Sequence, residues 1–133
     1  MADNQWPVVP GTVSWVDLTA PDAGRLRDFY CRVIGWEHRP VDMGAYSDYA
    51  LRPPGAEHFV AGVCHKQGPN ASLPPVWLVY FIVDNLDASL SACRELGGKV
   101  LVEPRTVGEG IFAVIGDPAG AVCALHQPTA APQ

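Results

Sequence analysis

Basic residues are scarce in this chain. Nine Lys and Arg stand against fourteen Asp and Glu, a formal charge of −5 over 133 residues. Nucleic acid and anionic membranes both want a basic face, so neither is an expected partner. Long apolar runs are also missing; none approaches the roughly 20 residues of a membrane-spanning helix. The opening stretch, MADNQWPVVP, has neither the basic start nor the apolar core of a secretory signal, and the chain reads as cytoplasmic. No CxxC pair occurs, so neither a zinc motif nor a redox motif is indicated. Cys31, Cys64, Cys93 and Cys123 sit apart in apolar patterns and are expected to be buried free thiols.

What is present is a turn-rich, globular composition. Hydrophobic residues make up 48% and charged residues 17%, which suits a packed core and not a disordered chain. Thirteen Gly and thirteen Pro call for many turns, as in a strand-rich fold. The length allows one domain with a sizeable core, residues 1–133.

Gly11 to Trp36, GTVSWVDLTAPDAGRLRDFYCRVIGW, organises the rest. Val13 to Leu18 alternates as a strand, with Ser14, Val16 and Leu18 on one face and Val13, Trp15 and Asp17 on the other. Pro21 and Asp22 open a helix, and Gly35 ends it. Leu26, Phe29, Tyr30, Val33 and Ile34 recur at helical spacing and predict a buried stripe. Extended segments follow at 36–42, 45–51 and 59–65. QGPNASLPP, residues 67–75, reads as a linker. A second unit then repeats the pattern: a strand over 76–83, a helix capped by Asp84 or Asn85 and stopped at Gly97-Gly98, and strands at 99–103, 110–115 and 121–126. Asp117-Pro118-Ala119-Gly120 is a turn signal. Residues 1–10, with Trp6, read as an arm packed on its own domain, and PTAAPQ as a loose tail. The order is therefore βαβββ twice, with modules at about 11–66 and 76–127.

That order, with PDAGRLRDFYCRVIGW, FIVDNLDASLSACRELGGKV and IGDPAGAVCALHQ, resembles the vicinal oxygen chelate superfamily: glyoxalase I, bleomycin-resistance proteins and extradiol dioxygenases. It looks most like a bacterial branch called glyoxalase-like or hydroxylase-like. The resemblance implies an α+β fold in which two curved mixed sheets enclose a cleft with helices outside, and it implies a homodimer. It also implies four metal-ligand positions, which fall here on Trp15, Leu78, Ala124 and Gly62. None of these side chains has a metal-binding atom, so no metal or other cofactor is expected. His58, His65 and His126 are the residues from which a displaced site would have to be built.

Strand alternation then gives the lining of that cleft. Val13, Trp15 and Asp17 face inward from the first strand, Leu78, Tyr80 and Ile82 from the fifth, and Val122, Ala124 and His126 from the last. The fourth strand offers Gly62 and Cys64 on one parity or Val63 and His65 on the other. The expected ligand-binding set is Trp15, Asp17, Gly62, Leu78, Tyr80, Ala124 and His126, suited to a planar or cationic small molecule. Asp17 and His126 are the candidate acid–base pair. For Asp17 the alternative is a structural hydrogen bond to Tyr80, His126 or backbone; for His126 it is a plain surface position. Two functions remain open. One is a metal-independent binder that sequesters an antibiotic or metabolite. The other is a metal-independent hydroxylase-, lyase- or isomerase-like enzyme with Asp17 as acid or base.

Overall fold

The computed structural model describes residues 8–129. The expected role of Trp6 and the last residues of the tail lie outside them. The fold is α+β, and its element order is the expected βαβββ twice. The first set is β1 (Val13–Ala20), α1 (Ala23–Ile34), β2 (Glu37–Asp42), β3 (Ser47–Arg52) and β4 (Ala61–His65). The second is β5 (Trp77–Ile82), α2 (Leu86–Glu95), β6 (Lys99–Val107), β7 (Gly110–Gly116) and β8 (Val122–Pro128). The linker holds one short 3-10 turn, Gly68–Asn70.

By contacts the chain divides into two units. One runs Val16–Trp77; the other joins the segment ending at Trp15 to the segment beginning at Leu78. The division falls inside β1.

In the first unit the strand order is β2-β3-β4-β1. β1 and β4 are parallel, and the other pairs are antiparallel. α1 starts where Asp22 accepts a hydrogen bond from the Arg25 amide. It ends at Gly35, whose φ of 92° is left-handed and whose N–H donates to the Cys31 carbonyl. Ala23, Leu51, Ala61 and Val63 are buried together, with Leu26, Cys31, Trp36, Tyr49 and Trp77 packed around them. Trp77 donates from Nε1 to the Tyr30 hydroxyl at 3.2 Å.

The predicted stripe on α1 is only partly buried. Phe29, Val33 and Ile34 are 53, 64 and 50% exposed. Periodicity says which residues share a stripe, not how much surface lies opposite it. The contacts to the core come from Ala23, Leu26 and Cys31, and Phe29 rests edge-on against Tyr30.

In the second unit the order is β5-β8-β7-β6, with β5 and β8 parallel and the other pairs antiparallel. Asn85, not Asp84, caps α2, accepting from the Ala88 amide at 3.0 Å. The Gln127 side chain satisfies a further free amide of that helix end, Leu86 N–H, at 2.7 Å. β6 runs four residues past its predicted end at Glu103, to Val107. Its edge position tolerates Pro104, because an edge strand has one side free of ladder bonds. The Asp117 turn forms as read, with Asp117 Oδ1 accepting from the Ala119 and Ala121 amides.

Leu86, Leu90, Ala113 and Leu125 form the core between α2 and its sheet. The approach is closest at Gly98. A Cβ there would meet Cys93 Sγ at 2.6 Å and the Gly116 carbonyl at 2.8 Å. Gly98→Ala should therefore cost about 1–3 kcal/mol through overpacking. Urea unfolding checks this, and an unchanged midpoint contradicts the packing described.

Candidate functional site

In each unit the strands have one face against a helix and one turned from it, and of the predicted site residues Asp17, Gly62, Leu78, Tyr80, Ala124 and His126 lie on the second kind. In the second unit Tyr80 pairs with Ala124, and Ile82 with His126. Phe112 is the partner of His126, and Val114 of Ala124. Paired residues share a face, so Tyr80, Ala124, His126 and Phe112 lie together. The alternate residues Ala113 and Leu125 pack under α2. Leu78 has the same parity as Tyr80 and is 3% exposed.

This face is an aromatic wall. Phe112 stacks on the His126 imidazole at 4.3 Å between centroids and 14° between planes. Tyr80 meets Phe112 edge-on at 5.6 Å. Ala124 beside them is fully buried.

His126 is met by Ser14 of β1, a residue outside the predicted site set. Ser14 Oγ lies 3.2 Å from His126 Nδ1 and 3.4 Å from the Tyr80 carbonyl. Ser14 is 6% exposed.

A carbonyl only accepts, so when the Ser14 hydroxyl donates to Tyr80 its oxygen receives Nδ1–H, and Nε2 is then the acceptor nitrogen of the ring. Nε2 lies against Gly110, where a Cβ would collide with it and would stand 2.7 Å from Cδ2. Gly110 is thus the residue that lets the ring lie flat under Phe112. Burial holds the His126 pKa below the ordinary 6.5, so the ring is neutral at neutral pH.

The remaining predicted residues sit in the first unit, apart from Trp15, which is partly exposed and belongs to the second. Asp17 pairs with Gly62, and Thr19 with Cys64. This settles the parity of β4: Gly62 and Cys64 share the face of Asp17, while Val63 packs under α1. Asp17, Thr19 and Asp48 are 8, 3 and 6% exposed, and they gather on this face. The Cys64 thiol is pushed far up by burial and by Asp17 and Asp48, so it is an inert group. Asp48 is spent on structure, accepting from the His65 amide at 2.8 Å with the His65 ring at 3.6 Å.

The residues fit no metal of the superfamily's kind. Trp15, Gly62, Leu78 and Ala124 offer no ligating side-chain atom. Among the described residues no group of three or more His, Cys, Asp and Glu could hold an ion. His58 instead sits 3.8 Å from Glu57. A cleft of about 370 Å³ opens between Gly97, Lys99 and the Asp117 turn. None of the predicted site residues lines it, and Asp117 Oδ1 is already committed to turn amides.

The chain belongs to the glyoxalase-like domain family, whose model matches residues 15–126. It is 36% identical over 128 residues to the anthracycline biosynthesis protein DnrV of Streptomyces peucetius, covering 87% of this chain and 46% of that one. It is 33% identical over 124 residues to CFP32 of Mycobacterium bovis, which carries a glyoxylase name, covering 92 and 46%. The chain thus spans about half the length of these relatives. In fold it is similar to methylmalonyl-CoA epimerase from Mycobacterium tuberculosis, at a TM-score of 0.56 and 18% identity over 99 and 97% of the two chains. An epimerase solved with methylmalonyl-CoA gives 0.60 and 16% over 92 and 97%. No helix among the described residues is long and apolar enough to cross a membrane.

Because the His126 pKa is lowered in the folded state, the unfolded chain binds the proton more readily. Stability from this group is complete above about pH 6.5 and is lost as the pH falls below it. Urea midpoints measured from neutral pH to about pH 5 should fall, and His126→Asn should flatten that decline. An equal decline in the variant contradicts a buried neutral imidazole.

Proposed function

We propose that this chain binds a planar small molecule, without a resident metal ion, on the sheet face that carries Tyr80, Phe112 and His126. The observation that carries the reading is the parallel Phe112–His126 stack, with Tyr80 edge-on to it. A flat conjugated ligand continues such a stack, and the neutral imidazole can accept a phenol or hydroxyl proton through Nε2. The ligand class is a polyketide-like aromatic antibiotic or metabolite, held and not turned over. The name of the Streptomyces relative supports this class. The absence of donor atoms at the four metal positions supports binding without an ion. The protein acts as a cytoplasmic homodimer in this reading.

Daunorubicin, a planar anthracycline, should bind and lose fluorescence on titration. Phe112→Leu, which keeps the volume but not the π-face, should weaken binding about tenfold. Light scattering on the same sample should give the mass of two 14.3 kDa chains. No quenching by the native protein, or equal quenching by the variant, contradicts the aromatic-wall reading; a single-chain mass removes the dimer.

A second reading rests on the burial of Asp17, 8% exposed within electrostatic reach of Cys64. A buried carboxylate is a ready acid or base, and here it would serve metal-independent hydroxylase-, lyase- or isomerase-like chemistry. Product analysis after incubation with daunorubicin, comparing native protein with Asp17→Asn, decides it. Turnover lost in the variant favours catalysis, and no turnover in either favours binding alone.

A further inference from the structure

The strands of the first unit carry a cationic corner that lies open to solvent. On β2, Glu37 and Arg39 share one side, and they pair with Arg52 and Ala50 of β3. Paired residues point to the same side, and this is the side away from α1, since the alternating Leu51 belongs to the helix-facing core. Arg39 and Arg52 are therefore diagonal neighbours on one face. Both guanidiniums rest on the ring of Phe59, Arg39 at 4.5 Å and Arg52 at 4.8 Å from its centroid. Phe59 is only 4% exposed, so the ring is a fixed platform for the two cations.

One acid answers the two arginines. Glu37 Oε1 takes Arg52 Nε at 2.9 Å, which leaves the terminal nitrogens of that guanidinium with their donors. Glu57, the acid nearest Phe59 in sequence, lies 3.8 Å from His58 instead. Arg39 has no ion-pair partner among the described residues. It is exposed, and the Arg52 and Glu37 side chains keep 32 and 45% of their surface, so a solute can reach all three.

Two guanidiniums held on one ring repel each other, and a single carboxylate neutralises only one of them. The corner therefore keeps an excess positive charge in a chain whose formal charge is −5. A guanidinium braced on a ring presents its N–H donors at its edge, the geometry that suits an oxyanion. One fork satisfies the two oxygens of a carboxylate. A phosphate monoester has three terminal oxygens and can face two forks at once.

We infer that Arg39 and Arg52, on their Phe59 platform, form a binding site for the phosphate group of a small phosphate monoester. Glu37 is the built-in carboxylate that competes with that phosphate for Arg52. The site stands on the first unit, goes beyond the aromatic-wall reading and does not rest on it.

The test is a phosphorus-31 NMR titration of phenyl phosphate with the full chain at low ionic strength, where surface electrostatics are least screened. The native protein should give a saturable shift, and benzoate should compete for the site only weakly. Arg39→Gln should lower the affinity at least about tenfold, as loss of a charge-assisted contact does. Glu37→Gln, which frees Arg52, should raise it about threefold. Arg32→Gln removes the same charge from an exposed position on α1 and should leave the affinity unchanged. Urea midpoints close to native in all three variants show that folding is not the cause. No saturable shift, native affinity in Arg39→Gln, or an equal loss in Arg32→Gln overturns the site. Benzoate binding more tightly than phenyl phosphate overturns the phosphate assignment, and a Glu37→Gln variant no tighter than native overturns the competing role of Glu37.

Discussion

One hydrogen bond sets the character of the second unit: His126 Nδ1 to Ser14 Oγ. It fixes the ring plane, passes the Nδ1 proton toward a serine that is itself committed to the Tyr80 carbonyl, and leaves Nε2 as an acceptor. Burial keeps the ring uncharged. A charged imidazolium would carry its own hydration and spoil the wall for an apolar ligand. The neutral ring instead stacks with Phe112, and Gly110 makes room for it.

Most of the fold was legible because turns and alternation are local. Gly35, the Asp117 turn and the glycine stop after α2 announce themselves by residue type. The parity of β5 and β8 followed from simple alternation, and the register agrees. Four features were not legible. Phe112 lies in a nearly continuous apolar strand, where no alternation marks the exposed face. Ser14 was missed as a partner of His126 because a contact 112 residues apart in sequence leaves no local signal. The exposure of Phe29, Val33 and Ile34 depends on what lies opposite α1, which no property of the helix itself records. The length of β6 was hidden by Pro104, a residue that ends a central strand but not an edge strand.

The site shows the same division. The strand faces of Asp17, Tyr80, Ala124 and His126 were legible from alternation, because strands copy sequence parity onto a face, while that of Gly62 is set by its pairing with Asp17. Their partners were not, because pairing across strands depends on register, and register is a tertiary property. Arg39 is the clearest case. In sequence it is one charge on a polar edge strand; only the pairing of β2 with β3 sets it diagonal to Arg52.

Membership in the glyoxalase-like family fixes a scaffold, while chemistry depends on what stands at a few positions of it. Here those positions carry an indole, a hydrogen, an isobutyl and a methyl group, and the polar groups lie elsewhere. The buried neutral imidazole is the claim from which the rest follows. Nitrogen-15 NMR of the His126 ring tests it most directly. The account predicts, at neutral pH, a proton on Nδ1 and a bare Nε2; an imidazolium, or the tautomer with the proton on Nε2, would contradict it.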